Sequence, residues 1–453
     1  MAFKAISSPT LQAPMLRFYS ARAAPQTGLR RETLQREGPR LTKLSNGIVV
    51  ASMENNHPIT RIALAVKAGS RYEEYYNLGV THSLRNCCGL TNKSATIFGT
   101  TRNLQLMGTT VTATNTRELM IYTMEVNRDK LKDSLKYFIP MICEQEFYPW
   151  EIRDFEDRIK FEVADYQQRP NVVVLETLHK VAFRTGLGNS VYTPDYMIGR
   201  HDTESLTKFF KSSFATNRMA LATVGMNHES AVDIANFFRY EGTATIQEVP
   251  TKYGGGEKRI EKVSPYSHVM IAANAAGLKN PKESLSAAVL QQMLGTYPQI
   301  KRGMTRSKLF TAAAKATENP FAVSCLNFSY SDAGLFGFYV AGQAEDMSKL
   351  VKCLVDEVSA VKNGVDEKDV QIGKARVKAA MHMAMENGTD SVQELACQAL
   401  HYGKVYDAAE LDALIDSITP SDVNSIAKKI TNGKPSMAAV GNLIDTPYLD
   451  QIR

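Results

Sequence analysis

The stretch Gly79-Val80-Thr81-His82-Ser83-Leu84-Arg85-Asn86 decides how the rest of the chain is interpreted. It predicts a helix that follows Gly79, on which His82 and Asn86 share one face because they are four residues apart. A single histidine in such a polar segment is usually an ordinary hydrogen-bonding residue. The meaning of this stretch therefore depends on its spacing and on the remainder of the chain.

The spacing is that of the motif His-x-x-Glu-His, in which two histidines on one helix face bind zinc and the glutamate activates water. Here His82 stands at the first ligand position, Arg85 replaces the glutamate and Asn86 replaces the second histidine. A guanidinium about 6 Å from a divalent ion, at an effective dielectric of about 20, would repel that ion by roughly 5 kcal/mol. The stretch thus predicts a zinc site that has lost its general base and one ligand.

The length of 453 residues is suited to two domains, each large enough to bury its own core. The hydrophobic fraction of 44% and charged fraction of 22% are typical of a globular protein, and no apolar run is long enough to cross a membrane. Six cysteines show no Cys-x-x-Cys spacing, which argues for reduced thiols and against a disulfide framework or zinc ribbon.

The positive charge is concentrated at the N-terminus. Residues 1–31 hold five lysines and arginines and no acidic residue, so most of the net charge of +6 lies there. Because no basic stripe follows, nucleic-acid binding is not expected. We interpret residues 1–19 as a mitochondrial transit peptide cleaved near Ser20, since Arg17 precedes that position at the usual distance, and residues 20–40 as a flexible segment.

Alternation of apolar residues predicts paired strands on both sides of the motif helix, and helical periodicity follows in residues 131–142 and 152–166. A helix capped by Thr203 and a strand ending at Gly225 close this part. A helix capped by Thr419 and a strand ending at Gly441 repeat the arrangement at the end of the chain. The repeat indicates a duplicated unit, with one domain at residues 41–241, a glycine-containing linker at 242–256 and a second domain at 257–453.

The duplicated unit, the altered motif and the segment Tyr330-Ser331-Asp332-Ala333-Gly334-Leu335-Phe336-Gly337 together resemble the pitrilysin-type metallopeptidases. That superfamily includes the mitochondrial processing peptidase and the core proteins of the respiratory cytochrome b-c1 complex. The resemblance covers the chain beyond about residue 40. It implies an α+β fold of two homologous domains, each a mixed β-sheet covered on one side by α-helices, arranged as a clam shell.

In active relatives a glutamate on a facing helix supplies the third zinc ligand, and the resemblance places it at Glu162 or at Glu156. With His82, Arg85 and Asn86 this set is vestigial, so no catalytic residue, metal or cofactor is expected. The ligand sets for haem, quinone and iron–sulfur clusters are not found in the sequence.

The resemblance therefore implies a non-catalytic core subunit needed for assembly of the cytochrome b-c1 complex, itself dimeric. Its partners would be a homologous core subunit and other subunits of that complex, and it would be peripheral to the inner membrane on the matrix side. The alternative is a substrate-binding or catalytic subunit of a mitochondrial processing metallopeptidase. Against it, the stretch 294–303 has only two glycines, where substrate-handling relatives have a glycine-rich loop.

Overall fold

The described part of the chain forms two β-sheets, one in each half. The computed structural model describes residues 38–238, 240, 248–296 and 307–452, all within one unit of residues 36–453. Several predicted features lie wholly or partly outside the described residues. They are the predicted transit peptide, much of the segment 20–40, residues 242–247 of the predicted linker and residues 297–303 of the glycine-poor stretch. The first sheet has six strands in the order β1-β2-β6-β3-β5-β4. The second has five, in the order β7-β11-β8-β10-β9.

The strands around the motif helix, and those that end next to Gly225 and at Gly441, lie where the sequence predicts them. The first sheet contains β1 (Arg40–Lys43), β2 (Val49–Met53), β3 (Ile59–Val66), β4 (Thr110–Asn115), β5 (Met120–Asn127) and β6 (Met219–Val224). The second sheet contains β7 (Gly256–Glu261), β8 (Tyr266–Ala275), β9 (Ala322–Ser329), β10 (Gly334–Gln343) and β11 (Pro435–Gly441).

Seven described helices precede the second sheet in the chain, and seven follow its first two strands. The earlier group is α1 (Val80–Asn86), α2 (Ile97–Leu106), α3 (Leu131–Cys143), α4 (Pro149–Gln168), α5 (Pro170–Phe183), α6 (Thr203–Ser213) and α7 (His228–Ala235). The later group is α8 (Pro281–Leu294), α9 (Lys308–Ala316), α10 (Met347–Ala360), α11 (Glu367–Glu386), α12 (Gly388–Tyr402), α13 (Ala408–Asp416) and α14 (Pro420–Thr431). None of the described helices is both long and apolar enough to cross a membrane.

The internal repeat is visible in strand pairing. In the first sheet β2 runs parallel to β6, and β6 is antiparallel to β3. In the second sheet β7 runs parallel to β11, and β11 is antiparallel to β8. Each sheet is therefore mixed, which confirms the α+β class and the duplication.

The two predicted helix caps had different outcomes. Thr419 caps α14, with its hydroxyl accepting from Asp422 N in a capping box, as predicted. The prediction for Thr203 is wrong, because the carboxylate of Asp202 accepts from Ser205 N at 2.9 Å and the helix begins at Thr203 itself. Aspartate and threonine are both good N-cap residues, so adjacent candidates are hard to separate from sequence.

Both faces of each sheet are buried, which differs from the predicted single helical layer. On β3, Ile62, Leu64 and Val66 face the larger helical layer, whereas Ala63 and Ala65 face the opposite side. Alternation in a strand places successive side chains on opposite faces, and small residues allow a helix to approach closely. A second helix must therefore cover the alanine face to exclude water from it.

That helix comes from the other half of the chain in each case. Helix α12, from the second half, packs Val392, Leu395, Ala396 and Ala399 on the alanine face of the first sheet. Helix α5, from the first half, packs on the corresponding face of the second sheet through a buried row that contains Val173, Val174, Leu178, Ala182 and Phe183. We call this arrangement the helix exchange. It joins the two halves through their cores.

A buried ionic cluster also joins the halves. Arg71 donates to Glu118 Oε1 at 2.7 Å and to both carboxylate oxygens of Asp332 at 2.7 Å. Asp332 also accepts from Thr251 N at 2.8 Å, and Glu118 accepts from Ser331 N at 2.9 Å. The segment 330–337, which carried part of the family resemblance, thus supplies contacts between the two halves.

We predict that Leu178→Ala lowers the free energy of unfolding by about 2–5 kcal/mol, because it leaves a cavity in the core formed by the helix exchange. Leu178 is fully buried on α5, and Lys180 on the same helix is exposed. Lys180→Ala is therefore the matched control and should change the stability by less than about 0.5 kcal/mol. Urea unfolding followed by circular dichroism measures both variants, and equal stabilities would contradict the role assigned to α5.

Candidate functional site

Helix α1 carries three of the four predicted site residues, and its start is fixed by the backbone of Gly79. Gly79 has a φ of +84°, and a Cβ atom there would lie 2.5 Å from the Cα of Thr193. A glycine is required because it alone has neither a steric penalty for this φ nor a side chain in this contact. The motif helix therefore begins where the sequence predicts.

A buried carboxylate accepts hydrogen bonds from the first turn of α1. Glu73 accepts from Gly79 N at 2.7 Å, from Thr81 N at 3.0 Å and from the Thr81 hydroxyl at 2.6 Å. Burial raises the pKa of Glu73 to about 7, although these hydrogen bonds oppose the shift. The carboxylate satisfies backbone donors that have no partner within the helix.

Glu162 on α4 meets all three motif residues. Its Oε2 atom lies 2.7 Å from His82 Nε2 and 3.2 Å from Asn86 Nδ2, and it accepts a hydrogen bond from Arg85. Its other oxygen accepts from Arg158 at 3.4 Å. The structure therefore brings together all four residues, His82, Arg85, Asn86 and Glu162, that the sequence placed in one site.

The second candidate for the facing glutamate lies elsewhere. Glu156 is six residues earlier on α4, and its carboxylate lies beside Gly199. The geometry therefore favours Glu162 over Glu156 as the residue that faces the motif.

The environment fixes the tautomer of His82. The backbone N–H of Thr193 donates to Nδ1 at 3.2 Å, so Nδ1 carries no proton and the Nε2–H group donates to Glu162. Burial lowers the pKa of His82, and the hydrogen bond to Glu162 only partly offsets this. His82 is therefore neutral near pH 7, with both ring nitrogens engaged.

Glu162 remains ionised over a wide pH range. Burial would raise its pKa, but the hydrogen bonds from His82 and Asn86 and the charge of Arg85 outweigh burial and lower the pKa to about 2. The carboxylate thus has a fixed cation as its counter-ion.

The residues present do not fit a zinc ion. A zinc site needs three protein ligands with free lone pairs, and here the imidazole nitrogens and the facing carboxylate oxygen are already hydrogen-bonded. Arg85 has no lone pair to activate water, and its charge opposes a metal ion. Within the described ranges, no three His, Cys, Asp or Glu side chains lie close enough to hold a metal together.

Sequence reasoning missed three contributors to the site. Thr193 and Tyr192 lie more than 100 residues after the motif, where Thr193 bonds His82 and the ring of Tyr192 meets it edge-on at 5.7 Å. Their segment has no periodicity that would place it here. Glu73 precedes Gly79 by six residues. A carboxylate so close to a predicted helix start could have been identified as a partner for the first turn of that helix.

Two family models match the chain. The model described as insulinase (peptidase family M16) matches residues 49–195, and the model described as peptidase M16 inactive domain matches residues 202–377.

Curated relatives match nearly the full length. Cytochrome b-c1 complex subunit 2, mitochondrial, of Homo sapiens is 37% identical over 443 residues, covering 96% of this chain and 98% of the relative. The protein of the same name from Mus musculus is 38% identical over 443 residues, with the same coverage. Mitochondrial-processing peptidase subunit alpha of Solanum tuberosum is 27% identical over 429 residues, covering 91% of this chain and 84% of the relative.

We predict that Glu162→Gln lowers the free energy of unfolding by about 1.5–3 kcal/mol at neutral pH, the usual contribution of hydrogen bonds to a charged group. Because the pKa of Glu162 is lowered to about 2, its contribution is present above its ordinary value of 4.5 and is lost as the pH falls towards 2. The stability difference between wild type and variant should therefore shrink over that interval.

Urea unfolding between pH 3 and pH 7 measures this difference. Glu156→Gln is the matched control, since Glu156 is on the same helix but lies beside Gly199. A stability difference between wild type and Glu162→Gln that does not change with pH would contradict the assigned ion pairs.

Proposed function

The chain belongs to peptidase family M16, and we propose that it serves in the mitochondrial cytochrome b-c1 complex as a non-catalytic core subunit of the core protein 2 type. The observation that carries the proposal is the engagement of His82 and Glu162 with each other and of Glu162 with Arg85. The family's fold is retained while the positions of its zinc chemistry are filled by a closed hydrogen-bonded cluster. The end-to-end similarity to subunit 2 of that complex supports the same role.

This role implies partners and a location. The chain would pair with the homologous core protein 1 and contact other subunits of the complex, which is itself dimeric. It would lie peripherally on the matrix side of the inner membrane, after removal of residues 1–19. The acid-free, arginine-containing leader supports import into mitochondria.

We also propose the domain division inferred from the sequence, with domains at 41–241 and 257–453 joined by a linker at 242–256. The division of the strands into two sheets supports it. Gly256 opens β7, so the linker ends where the second sheet begins. The helix exchange means that each domain borrows one helix, and neither is expected to fold alone.

A substrate-binding subunit of a processing peptidase is the second candidate. The similarity to subunit alpha of such an enzyme favours it, because the chain covers most of that relative's length. The lower identity, 27% against 37%, and the two glycines in the stretch 294–303 favour the core subunit.

We predict that the native protein migrates with b-type and c-type haem in one large membrane complex, and that its depletion lowers the amount of that complex. A scaffold subunit contributes binding surface, so losing it removes contacts needed by its neighbours. Native electrophoresis with haem staining of mitochondria measures this. A soluble heterodimer that cleaves presequence peptides would instead support the peptidase candidate.

We predict that the purified protein binds far less than one zinc per chain. Asn86→His should increase zinc binding modestly, because Arg85 still opposes the ion and holds Glu162. Adding Arg85→Glu should increase it further, because this frees the carboxylate of Glu162 and removes the positive charge.

Metal analysis by mass spectrometry tests the order of these variants. The control adds Glu162→Gln to the double variant and should abolish the gain, since it removes the third ligand. Stoichiometric zinc in the wild-type protein would refute our interpretation of residues 79–86.

A further inference from the structure

An exposed apolar surface lies at one end of the second sheet. Val263 is fully exposed, Ile444 is 83% exposed and Tyr266 is 48% exposed. We call these three residues the sheet-end patch. Val263 is in the connection between β7 and β8, and Ile444 follows β11.

Backbone pairing places these segments side by side. Lys262 N donates to Gly441 O at 3.0 Å, and the hydroxyl of Ser267 donates to Asn442 O. The patch therefore consists of two adjacent loops at the end of β7 and β11.

The loop that carries Ile444 is held in place by one partly buried cation. Arg259 donates to the carbonyl oxygens of Leu443 at 2.9 Å, Thr446 at 3.0 Å and Pro447 at 3.3 Å. Its guanidinium also lies 4.2 Å from the ring centre of Tyr448. Ile444 is thus presented outward by an ordered segment, so binding through it would cost little conformational entropy.

The first sheet provides an internal comparison for the patch. Val263 stands two residues before Pro265 in the β7–β8 connection, and Asn56 stands two residues before Pro58 in the equivalent β2–β3 connection. Ile444 is three residues after Gly441, and His228 is three residues after Gly225 at the end of β6.

The first-sheet residues are polar and bonded. His228 lies 2.7 Å from the hydroxyl of Ser52 and 2.8 Å from that of Thr42. In the β2–β3 connection, Glu54 pairs with Arg128 at 2.5 Å. The fold therefore does not require apolar residues at these positions, and their presence in the second sheet needs another reason.

Charge indicates what the patch contacts. Glu261 and Asp445 are exposed beside it and form no ion pair within the described residues. The adjacent cation, Lys262, donates to Gln167 O at 2.9 Å, so two carboxylates and one ammonium lie beside the patch. This net negative border disfavours an anionic lipid surface, which attracts basic segments, and also a second copy of the same patch.

We propose that the sheet-end patch is a docking site for a protein partner that presents an apolar pocket bordered by basic side chains. The inference rests on the proposed function, in which the chain is a subunit of a larger assembly. Val263 and Ile444 enter the pocket, and Glu261 and Asp445 meet its basic border.

The test exchanges the patch for its first-sheet counterpart in Val263→Asn/Ile444→His. Both side chains are exposed, so the variant should keep the unfolding midpoint of the wild type. Purified from mitochondria, it should retain about tenfold less of one partner subunit. The control Phe161→Asn/Met383→Gln removes two apolar side chains of 72% and 70% exposure and should retain that subunit fully.

A photoreactive residue at position 263 of the otherwise wild-type protein identifies the contact. The expected product is an adduct with the same partner subunit that the double variant loses. An adduct with lipid or with a second copy, the absence of any protein adduct, or undiminished partner recovery with the double variant would each overturn the proposal. If the wild-type protein migrates apart from haem, the proposed function is wrong. The adduct at position 263 still shows, independently, whether the sheet-end patch contacts a protein partner.

Discussion

The helix exchange is the constraint on which the rest of the structure depends. Each sheet buries two apolar faces, and each half of the chain provides a full helical layer for only one of them. The remaining faces, rich in alanine, are covered by α12 and α5 from the opposite halves. The ionic cluster around Arg71 forms across the same junction. The two halves of a duplicated chain are in this way joined into one structural unit.

The candidate site shows how α1 and α4 are held together by side chains alone. Glu162 enters the site from α4 and would be an uncompensated, partly buried charge without a cation. Arg85 supplies that cation, while His82 and Asn86 use their donors on the same carboxylate oxygen. The guanidinium thus balances the charge that a metal ion would otherwise balance.

Much of this could be predicted from sequence because the signals were local. The spacing of His82, Arg85 and Asn86 on one helix face depends only on helical geometry, and Thr419 at the start of α14 on capping chemistry. The exchange of α5 and α12 could not be predicted, because alternating large residues and alanines in β3 look like an ordinary strand. No sequence pattern near β3 indicates which distant helix covers its alanines. For the same reason Thr193 was missed, although Glu162 was found through the family resemblance.

The helix exchange also sets the order in which the protein can fold. The alanine face of the first sheet is complete once β6 has been synthesised, yet the helix that covers it, Gly388–Tyr402, comes more than 160 residues later. During that interval the face has no partner, and contacts between residues so far apart form slowly. Exposed sheet faces of this kind favour aggregation of partly folded chains. An N-terminal half produced without the C-terminal half is therefore expected to aggregate more readily than the full chain.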